Sequence, residues 1–330
     1  MTDLRFHRAV AGLVAALFIA FVAPQTVARA ETKYPTKAVR IVVPFAAGGI
    51  ADITARVVAE RLGARLGGRF YVENQPGAGG IAAARTVISS APDGNTLALL
   101  TNGTAISVSL FKQLPFDPLR DFAPISSLGY FDFIFATSAA SEFKTLADVI
   151  RAAKAKPGTL NVGTINVGST QNLSAELFKT AAGIDLQIVP FRATPEVLVS
   201  LMQGNLAVMI DGYSSMKGNL ADGKIRALAS SAAKRSASAP DIPTVQESGV
   251  ADYDVVSWNA LFAPAGTPPE IVKALNDALR DILAEPEVKT RLLELGIEAR
   301  ASSPEEIQAR LKSDIDKWRT VIEKSGIERQ

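Results

Sequence analysis

One short run decides most of what this chain can be. Val39-Arg40-Ile41-Val42-Val43 is β-branched enough for a strand covered on both faces, Pro44 ends its ladder, and Gly48-Gly49 lead straight into a helix opening at Ile50 to Asp52. A strand that turns through glycines into a helix belongs to the α/β class, in which helices wrap a parallel sheet. The glycines let the backbone turn sharply and approach a bound group, while the helix opening aims unpaired N–H groups and the positive end of its dipole at the same space. The turn is either an anion cradle or a βα turn whose glycines only relieve strain. Similar turns further along favour the cradle.

The first thirty residues read as a secretory leader. Arg5, His7 and Arg8 precede an apolar run over residues 9–23, and Ala28-Arg29-Ala30 supplies small residues before cleavage ahead of Glu31. The run is shorter than the roughly 20 residues a membrane span needs, so an exported protein without stable membrane insertion is expected, in a periplasm-like space. The whole chain has 35 basic and 33 acidic side chains and no cysteine. The leader carries Arg5, Arg8, Arg29 and Asp3, so its removal leaves a formally neutral chain, a poor partner for nucleic acid or anionic membrane. The single histidine, His7, goes with the leader. Without His or Cys, the usual nucleophilic triads, zinc sites and histidine bases are closed, and no cofactor or metal is expected.

Alternating patterns then place strands at 39–45, 70–74 and 96–101 and helices at 53–66 and 80–89. A long extended run over 122–137 is interrupted by Gly129 and reads as a crossover. A second α/β run follows, with strands at 160–163, 186–189, 207–210 and 225–231. Thr145 with Asp148 forms a capping box for a helix that stops at Lys156-Pro157-Gly158, and further helices between the strands start near Thr170 and Pro195. Thr267-Pro-Pro-Glu270 and Ser303-Pro-Glu-Glu306 share a helix-start signal, and Ile307, Leu311, Ile315, Trp318 and Ile322 keep one apolar face that should pack on the first domain. Ile41-Val-Val-Pro-Phe45 is echoed by Gln187-Ile-Val-Pro-Phe191. Turns at strand ends thus recur at Asn102-Gly103-Thr104, Gly168-Ser169-Thr170 and Phe191-Arg192, where ligands sit in open α/β sheets.

Motifs along nearly the whole mature chain add a resemblance. Val43-Pro-Phe-Ala-Ala-Gly-Gly49 with Asp52, Val72-Glu-Asn-Gln-Pro-Gly-Ala-Gly-Gly80, Pro92-Asp-Gly94, Leu114-Pro-Phe-Asp-Pro118, Asp241-Ile-Pro-Thr-Val245 and Ala263-Pro-Ala-Gly-Thr-Pro268 resemble the tripartite tricarboxylate transporter substrate-binding proteins, the Bug family. The resemblance implies a two-lobe periplasmic binding protein, a type II-like Venus flytrap with a ligand cleft between its lobes. It implies a monomer that captures a small carboxylate for the membrane components of a tripartite transporter. The lobes are expected over 31–131 plus 232–330 and over 132–231. A partner that presents its ligand to a signalling protein is the alternative, and an exported enzyme using the same cleft is a third class. Ile50 and Ala51 depart from the small or hydroxyl residues many relatives have there, Asn172 from a histidine, and Arg192-Ala193 from Lys-Gly.

The candidate ligand-binding residues are Phe45, Ala47, Gly48, Gly49, Ile50 and Asp52 from the first turn, with Asn102, Gly103 and Thr104 from the third strand's end. Gly168, Ser169, Thr170, Phe191, Arg192 and Asp211 complete the set. Arg192 offers a bidentate carboxylate clamp or is a solvated loop side chain. Asp211 either accepts from a ligand ammonium or hydroxyl, or serves an Asp-Gly turn. Tyr213 and Trp258 are cleft or core. Gly77-Ala-Gly-Gly-Ile-Ala82 fits a dinucleotide fingerprint, yet the following strand ends in Thr101-Asn102-Gly103 and lacks the acid that would hold the ribose.

Overall fold

The computed structural model describes residues 34–330; the expected leader and His7 lie outside the described residues. The strands are β1 (Val39–Val43), β2 (Phe70–Asn74), β3 (Thr96–Thr101), β4 (Phe122–Ser138), β5 (Asn161–Ile165), β6 (Gln187–Phe191), β7 (Val208–Gly212), β8 (Ile225–Ser230), β9 (Val256–Pro264) and β10 (Glu298–Ala299). The helices are α1 (Ile50–Leu66), α2 (Ile81–Ile88), α3 (Asn102–Leu110), α4 (Leu146–Ala155), α5 (Thr170–Ala182), α6 (Thr194–Met202), α7 (Tyr213–Ala221), α8 (Pro269–Ala284), α9 (Pro286–Leu293) and α10 (Pro304–Ser325).

β4 belongs to two sheets. Its residues from Phe122 to Asp132 pair antiparallel with β9, in a sheet of order β2-β1-β3-β9-β4 with β10 added on β4. From Phe133 onward it pairs with β7 and β8 in a second sheet that continues through β5 to β6. β1, β2 and β3 are mutually parallel, as are β5, β6 and β7. The sheets are therefore mixed and not purely parallel: β9 and β10, both absent from the sequence reading, run antiparallel in the first, and β4 runs antiparallel to β7 and β8 in the second. A chain that leaves the first sheet along β4 and returns beside it must run back antiparallel. Ser231 stitches the crossing: its hydroxyl accepts from Phe133 N–H at 2.8 Å and donates to Val255 O at 2.6 Å.

Both faces of the first sheet are covered, as the unbroken β-branched run of β1 requires. Val39, Ile41 and Val43 pack with Leu62 of α1 and Leu279 of α8, while Val42 turns to the other side with Ala83 and Ile106. α10 buries Ile307, Leu311, Ile315, Trp318 and Ile322, each worth about 1.5–3 kcal/mol against exposure. It lies against α3, β4 and α5, so it braces elements of both sheets and not the first domain alone. The Ser303 box caps it as expected: Ser303 Oγ accepts from Glu306 N–H at 3.1 Å, and Glu306 accepts from Ser303 N–H at 2.7 Å. Thr145 and Asp148 cap α4 in the same way. Thr267 does not cap α8; its hydroxyl donates to Pro264 O at 2.8 Å, leaving Pro268 at the N-cap without a side-chain bond.

Candidate functional site

The turn after β1 is held by a buried aspartate. Gly48 has φ +88°, a region side-chain-bearing residues rarely adopt, whereas Gly49 is extended at φ −82° and ψ 171°. Conformation therefore demands glycine at 48. At 49 the demand is for an N-cap with no side chain between the helix end and the space before it. The first internal bond of α1 runs from Ile53 N–H to Gly49 O, so the Ile50, Ala51 and Asp52 N–H groups have no capping partner. Asp52 points backward, accepting from Gly48 N–H at 2.9 Å, Asn74 Nδ2 at 2.9 Å and Arg56 Nε at 3.0 Å. Asn74 Nδ2 also donates to Phe45 O at 3.0 Å. Burial pushes the Asp52 carboxyl up, but the donors of Arg56, Gly48 and Asn74 outweigh it and hold the group below its ordinary range.

Four more helix N-termini contribute to the same space. α3 and α5 are capped by their own chain: Thr101 Oγ1 accepts from Gly103 N–H at 3.1 Å, and Ser169 Oγ accepts from Asn172 N–H at 3.1 Å. Gly168 precedes α5 at φ +78°, with Leu110 Cδ2 only 2.3 Å from where a Cβ would stand. Asn102 ties the two helices, donating to Thr170 Oγ1 at 3.1 Å while accepting from Trp318 Nε1 at 2.8 Å. α6 supplies Thr194. α7 opens after Gly212, again a glycine N-cap with no side-chain bond. Its brace is Asp211, which accepts from Gln171 Nε2 at 3.1 Å, from Gly212 N–H at 2.7 Å and from the Thr194 hydroxyl at 2.5 Å. One carboxylate thus joins the openings of α5, α6 and α7.

Between these turns lies a cleft of about 610 Å³. Its walls are mainly apolar, from Phe45, Ile50, Ile53, Phe131, Phe133, Ile165 and Leu295, with hydroxyls of Thr101, Ser169, Thr170, Thr194, Ser214, Ser215 and Ser257. Among the described residues lining it there is no Lys, Arg or His, and Asp211 is the one ionisable group. Ile50 reaches across, its Cδ1 standing 3.5 Å from where a Cβ on Gly212 would be. No group of three or more His, Cys, Asp or Glu that could hold a metal occurs among the described residues.

Of the candidates read from sequence, Phe45, Gly48, Gly49, Ile50, Gly103, Gly168, Ser169, Thr170 and Asp211 line this cleft. Six do not. Ala47 faces solvent. Asp52 and Asn102 sit behind the wall, at 2% and 0% exposure, as braces. Thr104 closes the α3 capping box by accepting from Thr101 N–H at 3.2 Å. Phe191 lines a separate shallow groove with Pro195 and Val199, and Arg192 is exposed. The last two are displaced because β6 is the edge strand of its sheet, whereas β1 is flanked by β2 and β3; the Pro-Phe echo does not place its two halves in equivalent positions. Trp258 is core, donating to Asp314 Oδ2 at 2.6 Å, and Tyr213 packs against Gly296. Asn172 is also structural, 4% exposed, with Oδ1 accepting from Gly168 N–H at 3.1 Å. Gly79 and Gly80 of the dinucleotide-like run border a space of about 10 Å³, too small for a pyrophosphate. The sequence reading missed Phe131, Phe133, Ser257 and Asn259, whose period-2 spacing on β4 and β9 was the available signal.

A family model described as the tripartite tricarboxylate transporter family receptor matches residues 54–327. Protein BugT of Bordetella pertussis is 30% identical over 315 residues, covering 95% of this chain and 96% of that protein. An R. palustris protein solved with adipate is 34% identical with a TM-score of 0.79, over 89% of this chain and 99% of the other. MatC from Rhodopseudomonas palustris, solved with bound malate, is 33% identical with a TM-score of 0.74, over 88% of this chain and 100% of that one.

Proposed function

The chain belongs to the tripartite tricarboxylate transporter receptor family, and on that premise we propose that it is exported, cleaved after Ala30, and captures a small carboxylic acid with a largely apolar body for a tripartite transporter. The observation that carries this reading is the cleft itself. Three helix openings without side-chain caps, α1, α6 and α7, border it, its walls are mainly apolar, and among the described residues no Lys, Arg or His lines it. A carboxylate takes the unpaired N–H groups and the positive dipole ends, and the remainder of the acid meets Phe45, Ile50, Phe131 and Phe133. A compact tricarboxylate would place its further charges against those rings without a counterion, a costly arrangement. The adipate and malate of the solved relatives are consistent with small acids as the class.

The lobes on this reading are 31–131 with 232–330, and 132–231; the sheet change of β4 at Asp132 and Phe133 and the Ser231 bonds support those boundaries. Capture without turnover follows from a cleft whose one carboxylate, Asp211, is already committed to three donors. The test is a thermal-shift series with adipate, benzoate, malate and citrate at equal concentration. Adipate or benzoate should give the largest rise, because a ligand at 100 times its Kd adds about 2.7 kcal/mol. Citrate as the strongest stabiliser would overturn the apolar-body reading.

A further inference from the structure

Three of the hydroxyl groups lining the cleft have their protons committed within the chain. Ser169 donates to Ile165 O at 2.9 Å, Thr194 to Asp211 Oδ2 at 2.5 Å and Ser215 to Gly212 O at 2.7 Å. Ser214 and Ser257 make no side-chain hydrogen bond among the described residues, so nothing fixes which way they turn. Thr170 belongs to neither group. Its Oγ1 accepts from Asn102 Nδ2 at 3.1 Å, yet among the described residues its own proton has no acceptor. Thr101 keeps its proton too, but it is held by its own helix cap, accepting from Gly103 N–H at 3.1 Å.

What holds Thr170 is remote. An indole N–H can only donate, so the Asn102 atom that faces Trp318 Nε1 at 2.8 Å is Oδ1. The NH₂ end of that amide then faces Thr170, and an NH₂ cannot accept. The Thr170 hydroxyl is thereby made the acceptor of the pair, which leaves its proton free. With an acceptor in place of Trp318, Asn102 could turn its oxygen to Thr170 and take that proton itself. Asn102 and Trp318 are both sealed, at 0% and 1% exposure, whereas Thr170, at 9%, lines the cleft. Buried polar groups in folded proteins are nearly always paired, and the open space beside Thr170 is the cleft.

We propose that Trp318 is a positioning residue for the cleft: through Asn102 it sets the Thr170 hydroxyl to donate to a carboxylate oxygen of the bound acid. This role rests on the cleft being an acid site, and it adds a side-chain donor to the backbone N–H groups of the uncapped openings. Bonds from a hydroxyl to a carboxylate are short and strong. The donor is oriented before the ligand arrives, which cuts the cost of ordering it on binding. The relay also crosses the fold, since Trp318 lies on α10, Asn102 opens α3 after a strand of the first sheet, and Thr170 opens α5 after a strand of the second.

Adipate, benzoate, malate and citrate are first ranked on the wild type by thermal shift. The strongest stabiliser is then titrated by calorimetry into wild type, Thr170→Ser, Thr170→Val and Trp318→Phe, beside urea melts of each. Thr170→Val should bind about tenfold more weakly or worse, and Thr170→Ser should recover most of that loss. Trp318→Phe should bind more weakly although residue 318 does not line the cleft. A second readout is spectroscopic. The chain has two tryptophans, Trp258 and Trp318, hence two indole N–H resonances. The Trp318 resonance should move as the acid saturates wild type and Thr170→Ser, and move far less in Thr170→Val. A merely structural Thr170 would cost urea stability and leave that resonance insensitive to the acid; this arm decides if Trp318→Phe does not fold. The proposal is overturned if Thr170→Val, or a folded Trp318→Phe, binds as tightly as wild type, or if Thr170→Ser is as weak as Thr170→Val. It is also overturned if the acid leaves the Trp318 resonance of wild type unmoved or moves it equally in Thr170→Val. If none of the four acids stabilises the wild type, the acid site itself is refuted and this role with it.

Discussion

Gly48→Ala and Arg192→Ala together separate a helix-mouth site from an arginine clamp. A Cβ at Gly48 would meet nothing within 4 Å, so the substitution acts only through its φ of +88°. Left-handed backbone costs a side-chain-bearing residue about 1–2 kcal/mol. The cost has two outlets. If Asp52 and Asn74 hold the turn in place, folding stability falls; if the turn relaxes, the Gly48 N–H leaves Asp52, the α1 opening shifts and affinity falls. The losses in urea stability and in binding should sum to about 1–2 kcal/mol, which is about 5- to 30-fold if it falls wholly on Kd. Arg192 is exposed and does not line the cleft, so its truncation should stay within about 0.5 kcal/mol, near twofold. Calorimetry with the best acid of the thermal-shift series, beside urea melts of each variant, gives both numbers. A tenfold or greater loss with Arg192→Ala, or no change in either quantity with Gly48→Ala, would refute the reasoning.

The buried aspartates should respond to pH in opposite directions. Asp52 is held below its ordinary range, so the unfolded chain binds more protons beneath about pH 4; its stabilisation is present above that pH and lost as pH falls through the folded value, and Asp52→Asn should flatten that acid limb of the melting curve. Burial raises the Asp132 carboxyl, so its folded form keeps a proton the unfolded form has lost; stability falls as pH rises from about 4 through the folded value, and Asp132→Asn should melt higher than wild type at pH 7. Asp211→Ala should lower urea stability by about 1–3 kcal/mol by orphaning buried donors, and weaken ligand binding with it; unchanged binding would mean that Asp211 does not position the α5, α6 and α7 openings.

The sequence was most legible where one local rule sufficed. β2 and β3 fall where the pattern placed them, and the Thr145 and Ser303 capping boxes form because each needs only residues three apart. Legibility failed where position in the sheet decides the role. Phe191-Arg192 reads like Phe45 and its turn, but edge and interior strands deliver the same ending to different places. Asn102-Gly103-Thr104 read as a turn because Asn and Gly are poor helix formers, yet Thr101 caps a helix that begins there and Asn102 is anchored by Trp318, more than 200 positions away. Asp52 and Asp211 were read as ligand contacts or as turn chemistry. Only coordinates assign them as braces, since Asn74 of β2 reaches Asp52, and Gln171 of α5 and Thr194 of α6 reach Asp211, from elements distant in the chain.

Capping status also explains why such a cleft needs both of its walls. One uncapped opening offers roughly 0.3–2 kcal/mol from its dipole end, and one charge-assisted hydrogen bond adds roughly 1.5–3. Together these give about 2–5 kcal/mol, near millimolar affinity at best, before any ordering cost. Micromolar capture needs about 8.2 kcal/mol, so a single opening falls short and a second must converge on the same acid. α1 follows a strand of the first sheet and α7 a strand of the second, and they meet where Ile50 approaches Gly212. Because, among the described residues lining the cleft, neither side supplies a lysine or arginine that could hold the anion alone, the ligand has to engage both openings at once. A cation introduced on one wall, as in Ser215→Arg, would tighten binding while weakening that dependence on the opposite opening.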